Sequence, residues 1–257
     1  MGIFKDIYDD ILNDNDILFS GNYEYNKKID KQIFDIDIED ICNSYDKIDL
    51  SDLEIEFYNS IYNNFNDDVF YYLMISDHDH FHNFKCKNKY EFFKTVSCFK
   101  NKNYNLFFKP AEFVGWCNDD NVLYLNCFFV DIDHIEGYED YDFTKCSTDE
   151  IKQFLKDKYI LDNSELPNFC VASGHGLHLY YLINQLNFND FSNYELKTKY
   201  LNSMIYFFKS DAACTNISRH LRCACSHNVK NINDIRTTKL YKLNDIDNKD
   251  IHRLDFF

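Results

Sequence analysis

Two aspartates separated by one residue, Asp131 and Asp133, close an apolar run that begins at Val122. On a strand alternate side chains share a face, so both carboxylates point the same way, about 7 Å apart along the chain. Such a pair repels itself and loses hydration as it is buried. A divalent cation removes both costs, and hard carboxylate oxygens with open positions suit Mg²⁺ or Mn²⁺. In so Asp-rich a chain the same residues also read as an ordinary acidic strand end running into residues 134–142.

A second group lies about 40 residues on, Ser173-Gly174-His175-Gly176-Leu177-His178, and uses two of the chain's six glycines. Glycine there permits a tight turn or close approach of backbone to a phosphate. His178 then opens an alternating strand with Tyr180 and Leu182; its ring can donate to a phosphate oxygen, and the Ser173 hydroxyl can add a second bond. A plain hairpin with a core histidine explains the same pattern. A third group begins at Asp211, just past a long helical stretch, and continues through Arg219 and Arg222 to Lys230. Asp211 can supply a third carboxylate. Arginine forks three residues apart suit phosphate oxygens better than lysine does. A solvated loop is the plainer account of this segment taken alone.

Helical spacing of apolar residues predicts a helix over 53–65, and a buried strand follows over 69–75. Further strands are expected at 105–108 and 122–133. Ser/Thr and acidic residues at 147–150 start a helix over 148–159. A hairpin is expected from 169–173 and 177–183, then the longest helical stretch over 188–209, then a polar loop with weak strand signals to 243. Residues 1–50, with Ile3, Ile7, Ile11, Ile33, Ile38 and Ile41 at helical spacing, read as an extension of short helices and loops. The expected division is therefore 1–50 and a catalytic domain over 51–257. Intermixed strands and helices point to an α+β fold.

The chain has 257 residues, enough for one large domain or two lobes sharing a cleft. Its net charge of −16 argues against a nucleic-acid partner. The distribution weakens that argument. All four arginines fall in the last 40 residues, and between Leu196 and Leu243 nine Lys or Arg face only Asp211 and Asp234. Screening beyond roughly 8 Å lets a basic face act against a distant acidic one. No run of about 20 apolar residues spans a bilayer, and residues 1–10 are unlike a secretion signal. A cytoplasmic protein without membrane contact is expected, with its ten cysteines mostly free thiols.

In order, the carboxylate pair, the Ser-Gly-x-Gly-x-His hairpin and the late Asp before Arg-x-x-Arg resemble the archaeo-eukaryotic primase superfamily. The likeness is to the primase-polymerase and RepB-like primase domains of plasmids and phages, over residues 52–245. The resemblance implies an RRM-like mixed sheet with a second α/β lobe. It implies two Mg²⁺ or Mn²⁺ ions held by Asp131, Asp133 and Asp211. It gives Ser173 and His178 to the incoming nucleotide, and Arg219, Arg222 and Lys230 to its triphosphate. The implied partners are a single-stranded DNA template and nucleoside triphosphates. Where the family often carries Pro-Gly-Thr, this chain has Cys223-Ala224-Cys225-Ser226. No Gly-x-x-x-x-Gly-Lys-[Ser/Thr] phosphate loop occurs, so any helicase activity is expected to come from another chain or from a part absent here.

Two other readings compete. His80-Phe81-His82 resembles the metal site of rolling-circle nicking enzymes, although it is expected in a polar loop. Cys214, Cys223, Cys225 and His227 offer four nitrogen and sulfur donors for a structural zinc, in tighter spacing than common zinc motifs. That site would suit a nucleic-acid-binding module without catalysis.

Overall fold

The computed structural model describes residues 21–63, 68–77, 79–133, 135–139, 141–174, 176–231, 233–245 and 247. The chain divides into two units, Met1–Asp40 and Ile41–Phe257. In the first, most of what is described belongs to α1 (Gly21–Asn43), one continuous helix of 23 residues. That corrects the expectation of short helices and loops for this stretch, and of 188–209 as the longest helix. Ile3, Ile7 and Ile11 lie outside the described residues.

In the second unit α2 (Asp52–Ile61) starts at a capping box in which Ser51 and Glu54 satisfy each other's backbone N–H groups. Then follow β1 (Tyr71–Ser76), β2 (Phe81–Cys86), α3 (Lys89–Phe99), β3 (Asn105–Phe108), β4 (Glu112–Phe113) and β5 (Val122–Ile132). After α4 (Thr148–Tyr159) come β6 (Phe169–Ala172), β7 (Leu177–Asn187) and α5 (Ser192–Phe208). The chain continues through β8 (Leu221–Arg222), β9 (His227–Asn228), β10 (Arg236–Thr237) and β11 (Lys239–Lys242). The α+β class is as expected, and the strands at 105–108 and 122–132 and the helix at 148–159 fall where the pattern puts them. Every strand pair among the described residues is antiparallel. No helix among them is long and apolar enough to cross a membrane.

The strands form a four-stranded sheet, β2-β1-β3-β8, a five-stranded sheet, β11-β6-β7-β5-β4, and the small β10-β9 pair. Helix α2 meets both large sheets. The Phe57 ring lies 6.0 Å from Phe108 of the first and 5.3 and 5.0 Å from Phe169 and Tyr180 of the second. Phe108 and Tyr180 also stack directly across the junction at 6.2 Å. Burying a ring stabilises by roughly 1.5–3 kcal/mol, and edge-to-face pairs add to that. The five-stranded sheet carries the main core, where Phe128, Val130 and Leu179 pack with Ile151 and Leu155 of α4 and Leu201 and Met204 of α5.

Strands β5 and β7 run side by side over most of their length, with a register shift between Leu125 and Cys127. Beyond that shift Asp131 stands opposite His178 and Ile132 opposite Leu177. The glycine turn between β6 and β7 then folds against the end of β5. A Cβ on Gly176 would lie 2.1 Å from the Ile132 carbonyl oxygen and 3.0 Å from the Asp133 Cα, both backbone atoms that cannot step aside cheaply. Gly174 has φ +114°, a region that side chains avoid. Gly176→Ala is therefore expected to push β7 off β5 at an overpacking cost of about 1–3 kcal/mol. A thermal melt should show a midpoint lower by several degrees; an unchanged midpoint would mean the turn has room to spare.

Candidate active site

The site is assembled by three chain segments. Strand β5 places Asp131 in the sheet, where it is buried, with Asp133 just past the strand end and exposed. Helix α5 ends at Lys209 in the left-handed conformation, φ 50°, and Ser210 N–H closes back on the Ile205 carbonyl. That stop delivers Asp211, whose backbone N–H donates to the Asp131 carbonyl at 3.0 Å. Asp211 also caps the next short 3₁₀ helix, accepting from Ala213 N–H through one oxygen at 2.9 Å. Its other oxygen faces inward. Asp131, Asp133 and Asp211 thus each present an oxygen, all within 4.8 Å of one another. Among the described residues this is the one group of three or more His, Cys, Asp or Glu ligand atoms so close.

Two nitrogen-bearing side chains stand against the carboxylates. The Arg219 Nη2 lies 3.2 Å from Asp131 Oδ2 and 2.5 Å from Asp211 Oδ2. His178 Nε2 is 3.3 Å from Asp131 Oδ1. Burial would raise the Asp131 pKa, but His178 and Arg219 outweigh it and hold the carboxyl well below the usual range. Asp133 goes the other way. Partial desolvation and then the Asp131 charge raise its pKa. The donor set is oxygen-only, crowded and net anionic, which suits hard divalent cations.

Ser173 is buried at the end of β6, and its carbonyl accepts from the Asn228 amide at 2.8 Å. Arg222 does not join Arg219 at the carboxylates. Its Nη1 donates to Asn105 Oδ1 at 2.7 Å and its guanidinium stacks over Phe107 at 4.8 Å. Burial draws its pKa down to about 10. Lys230 is exposed beyond β9, its backbone N–H bonded to Asn228 Oδ1. The structure therefore brings together Asp131, Asp133, Asp211, His178 and Arg219, with Ser173 on the adjoining strand, Arg222 in the second sheet and Lys230 at the surface. In the Cys223-Ala224-Cys225-Ser226 stretch, Ala224 and Cys225 form a turn, and Cys225 takes φ 57° there.

Sequence reasoning missed several supporting residues. Asn105 accepts from both Arg222 and Val229 N–H, tying the segments on either side of that turn to β3. Arg236 Nη1 donates to the Gly174 carbonyl at 2.7 Å and braces the glycine turn. His220 is partly buried, and its pKa falls well below the ordinary value through desolvation and the charges of Lys109 and Arg219. Arg236 was visible as part of the late basic stretch; nothing local marks Asn105 or His220.

The competing readings meet corrections. Phe81-His82 lies at the start of strand β2, not in a loop. It occupies the edge of the four-stranded sheet opposite β8, the strand that carries Arg222. His80 faces Asp77 at 3.4 Å. The four proposed zinc donors point apart. Cys223 faces the Tyr58 hydroxyl, Cys214 lies beside Asp131 and Arg219, and His227 Nδ1 is 3.4 Å from Thr237 Oγ1. Burial pushes the Cys214 and Cys225 thiols up to about 12 and about 11.

No family model matches the chain. Over 126 residues it is 25% identical to a replication protein of Clostridium perfringens, a match covering 49% of this chain and 28% of that protein. The chain thus spans little more than a quarter of that relative's length. Among solved structures it is similar to the AEP domain of the primase-polymerase of cyanophage S-2L, with TM-score 0.48 and 12% identity over 74% of this chain and 89% of that one. It is also similar to the catalytic domain of primase RepB′ in complex with initiator DNA, with TM-score 0.41 and 13% identity over 71% and 82%.

Because Asp133 is ionised at a cost, Asp133→Asn should raise the melting midpoint in EDTA at neutral pH. An exposed charge of this kind is worth up to about 1 kcal/mol, or about 1–3 °C here. The sign follows from linkage: an acid with a raised folded pKa carries its full penalty above that pKa and none below its unfolded value, about 3.9. The gap between variant and parent should close as pH falls toward 4. Added Mn²⁺ should raise the parent's midpoint and leave the variant's nearly unmoved. A variant less stable than the parent in EDTA would show that the carboxylates do not repel.

Proposed function

We propose that this chain is a template-dependent DNA primase or polymerase that joins nucleotides by in-line phosphoryl transfer, with the chemistry in residues 51–257. The observation that carries the reading is the convergence of Asp131, Asp133 and Asp211, each offering an oxygen within 4.8 Å of the others. That geometry fits a pair of Mg²⁺ or Mn²⁺ ions. When bound, two such ions supply Lewis-acid stabilisation to the attacking and leaving oxygens of a displacement at phosphorus.

The protein's own groups do the rest. Asp131 is fixed by the sheet, by His178 and by the Asp211 backbone, so it keeps one orientation. Asp133 and Asp211, less buried, close the ligand set from either side. Arg219 lies within reach of the same space, and its planar fork can pair with a triphosphate oxygen. His178 and Ser173 flank the glycine turn where the nucleotide would approach the backbone, and Lys230 offers a further cation for the triphosphate. Arg222, held by Asn105, contributes fixed positive charge at short range.

The expected substrates are nucleoside triphosphates on a single-stranded DNA template. Replication of a plasmid or phage, with a separate helicase and in the cytoplasm, is the setting that suits the similarity to a replication protein. The test is incorporation of labelled nucleotide on a single-stranded template, with and without a primer, in Mg²⁺ or Mn²⁺. Asp131→Ala and Asp133→Ala should each lower the rate by at least about 10²–10³-fold, the scale for losing one preorganised group at a transition state, while circular dichroism stays native. Full incorporation by both variants would end the assignment.

A further inference from the structure

A polar cleft is lined in part by Arg236, the residue that braces the glycine turn. It holds about 510 Å³ and is lined by Thr144 and Lys145 before α4 and by Arg236, Thr237 and Lys239 from β10 and β11. Its position relative to the aspartates is fixed by two contacts. Arg236 donates to the Gly174 carbonyl at 2.7 Å, and the turn's second glycine packs against the Asp133 backbone. The cleft therefore lies one glycine turn away from the proposed site.

Its chemistry is unusual for this chain. In a protein of net charge −16, three cations and two exposed or half-buried threonines share one concavity with only Asp142 and Asp234 as acids. Those acids hold the cations in place: Lys145 Nζ is 3.1 Å from Asp142 Oδ2, and Arg236 Nη2 is 2.8 Å from Asp234 Oδ2. Lys239 Nζ is tied to the Cys146 carbonyl at 2.6 Å. Lys145 is 81% exposed. Lysine, arginine and hydroxyl groups of this kind make most of the contacts that proteins make to sugar and phosphate, and such contacts position a strand without reading its sequence.

We propose that this cleft binds the phosphate backbone of the single-stranded nucleic acid on which the aspartate site acts. The inference rests on the primase-polymerase reading and names where the strand leaves the site. Phosphate chemistry is shared by a strand and by a free nucleoside triphosphate; the glycine turn that separates the cleft from the carboxylates favours the strand.

The test uses the full chain without added metal and a short fluorescent oligothymidylate, with binding followed by anisotropy across a range of salt. Lys145→Glu should weaken binding several-fold at low salt. It should also flatten the slope of log affinity against log salt by about 0.7, the value for one single-strand phosphate contact. Lys145→Arg should bind as the parent does. Lys199→Glu, the same charge change on α5, should leave the slope unchanged, and nucleoside triphosphate binding should be equal in all variants. If Lys145→Glu matches Lys199→Glu, or if it weakens free triphosphate as much as strand, the proposal is overturned. The two readings also fail separately. A silent Lys145→Glu in a protein whose incorporation is lost with Asp131→Ala removes only the cleft. Strand binding that depends on Lys145, in a protein that never incorporates nucleotide, removes only the enzyme.

Discussion

Three carboxylates within 4.8 Å of one another are held together against their own repulsion, and most of the second unit is arranged to do it. Water would separate them; a sheet does not allow it. Asp131 sits in a strand that β7 pairs through to its end, and Asp211 is hydrogen-bonded by its backbone to the same residue. Compensation comes from His178, directly opposite in the ladder, and from Arg219. Side chains at opposed ladder positions sit about 4.5–5.5 Å apart at Cβ, so a one-residue slip of β7 would carry the imidazole to the other face. The glycine turn sets that register at the point where it matters.

Residues of the site also join the two large sheets. Arg222 belongs to β8 and pairs with Phe107 of β3, in the four-stranded sheet, while Arg219 three residues earlier reaches Asp131 in the five-stranded one. Any movement between the sheets would separate these contacts. The aromatic junction of Phe57, Phe108, Phe169 and Tyr180 resists it, because close-packed rings leave no room for small slides. The abundance of phenylalanine and tyrosine, uninformative as composition, thus has a local mechanical role.

What could be read from the sequence was local. Alternation along 122–133 shows a strand with both aspartates on one side, and the two glycines with the residues around them show the hairpin. The Ser147 and Glu150 pair shows where α4 begins, and its capping box is present. Contacts between distant segments left no such trace. Asn105 bonds Arg222 across 117 residues, and a single Asn in a polar chain carries no periodic signal. The four thiol and imidazole groups at 214–227 looked close in sequence, yet tight turns and short strands send them in different directions. The His-Phe-His segment looked like a loop because His and Asn are weak strand formers. Six paired positions with β1 override that preference.

Net charge alone would turn attention away from nucleic acid, and for the proposed function it is a poor guide. Acidic side chains that lie beyond a Debye length are screened from a strand at the site, whereas Arg219, Arg236 and Lys239 sit beside the glycine turn or one strand from it. Those cations are restrained by carbonyl and carboxylate partners, so little side-chain freedom is left to lose when a phosphate arrives. An acidic protein can then hold a polyanion with few cations, provided each is fixed in advance. On the proposed reading, the acids that do the fixing would also limit non-specific binding, since only a ligand placed in register with the cations gains more than it loses to the neighbouring carboxylates.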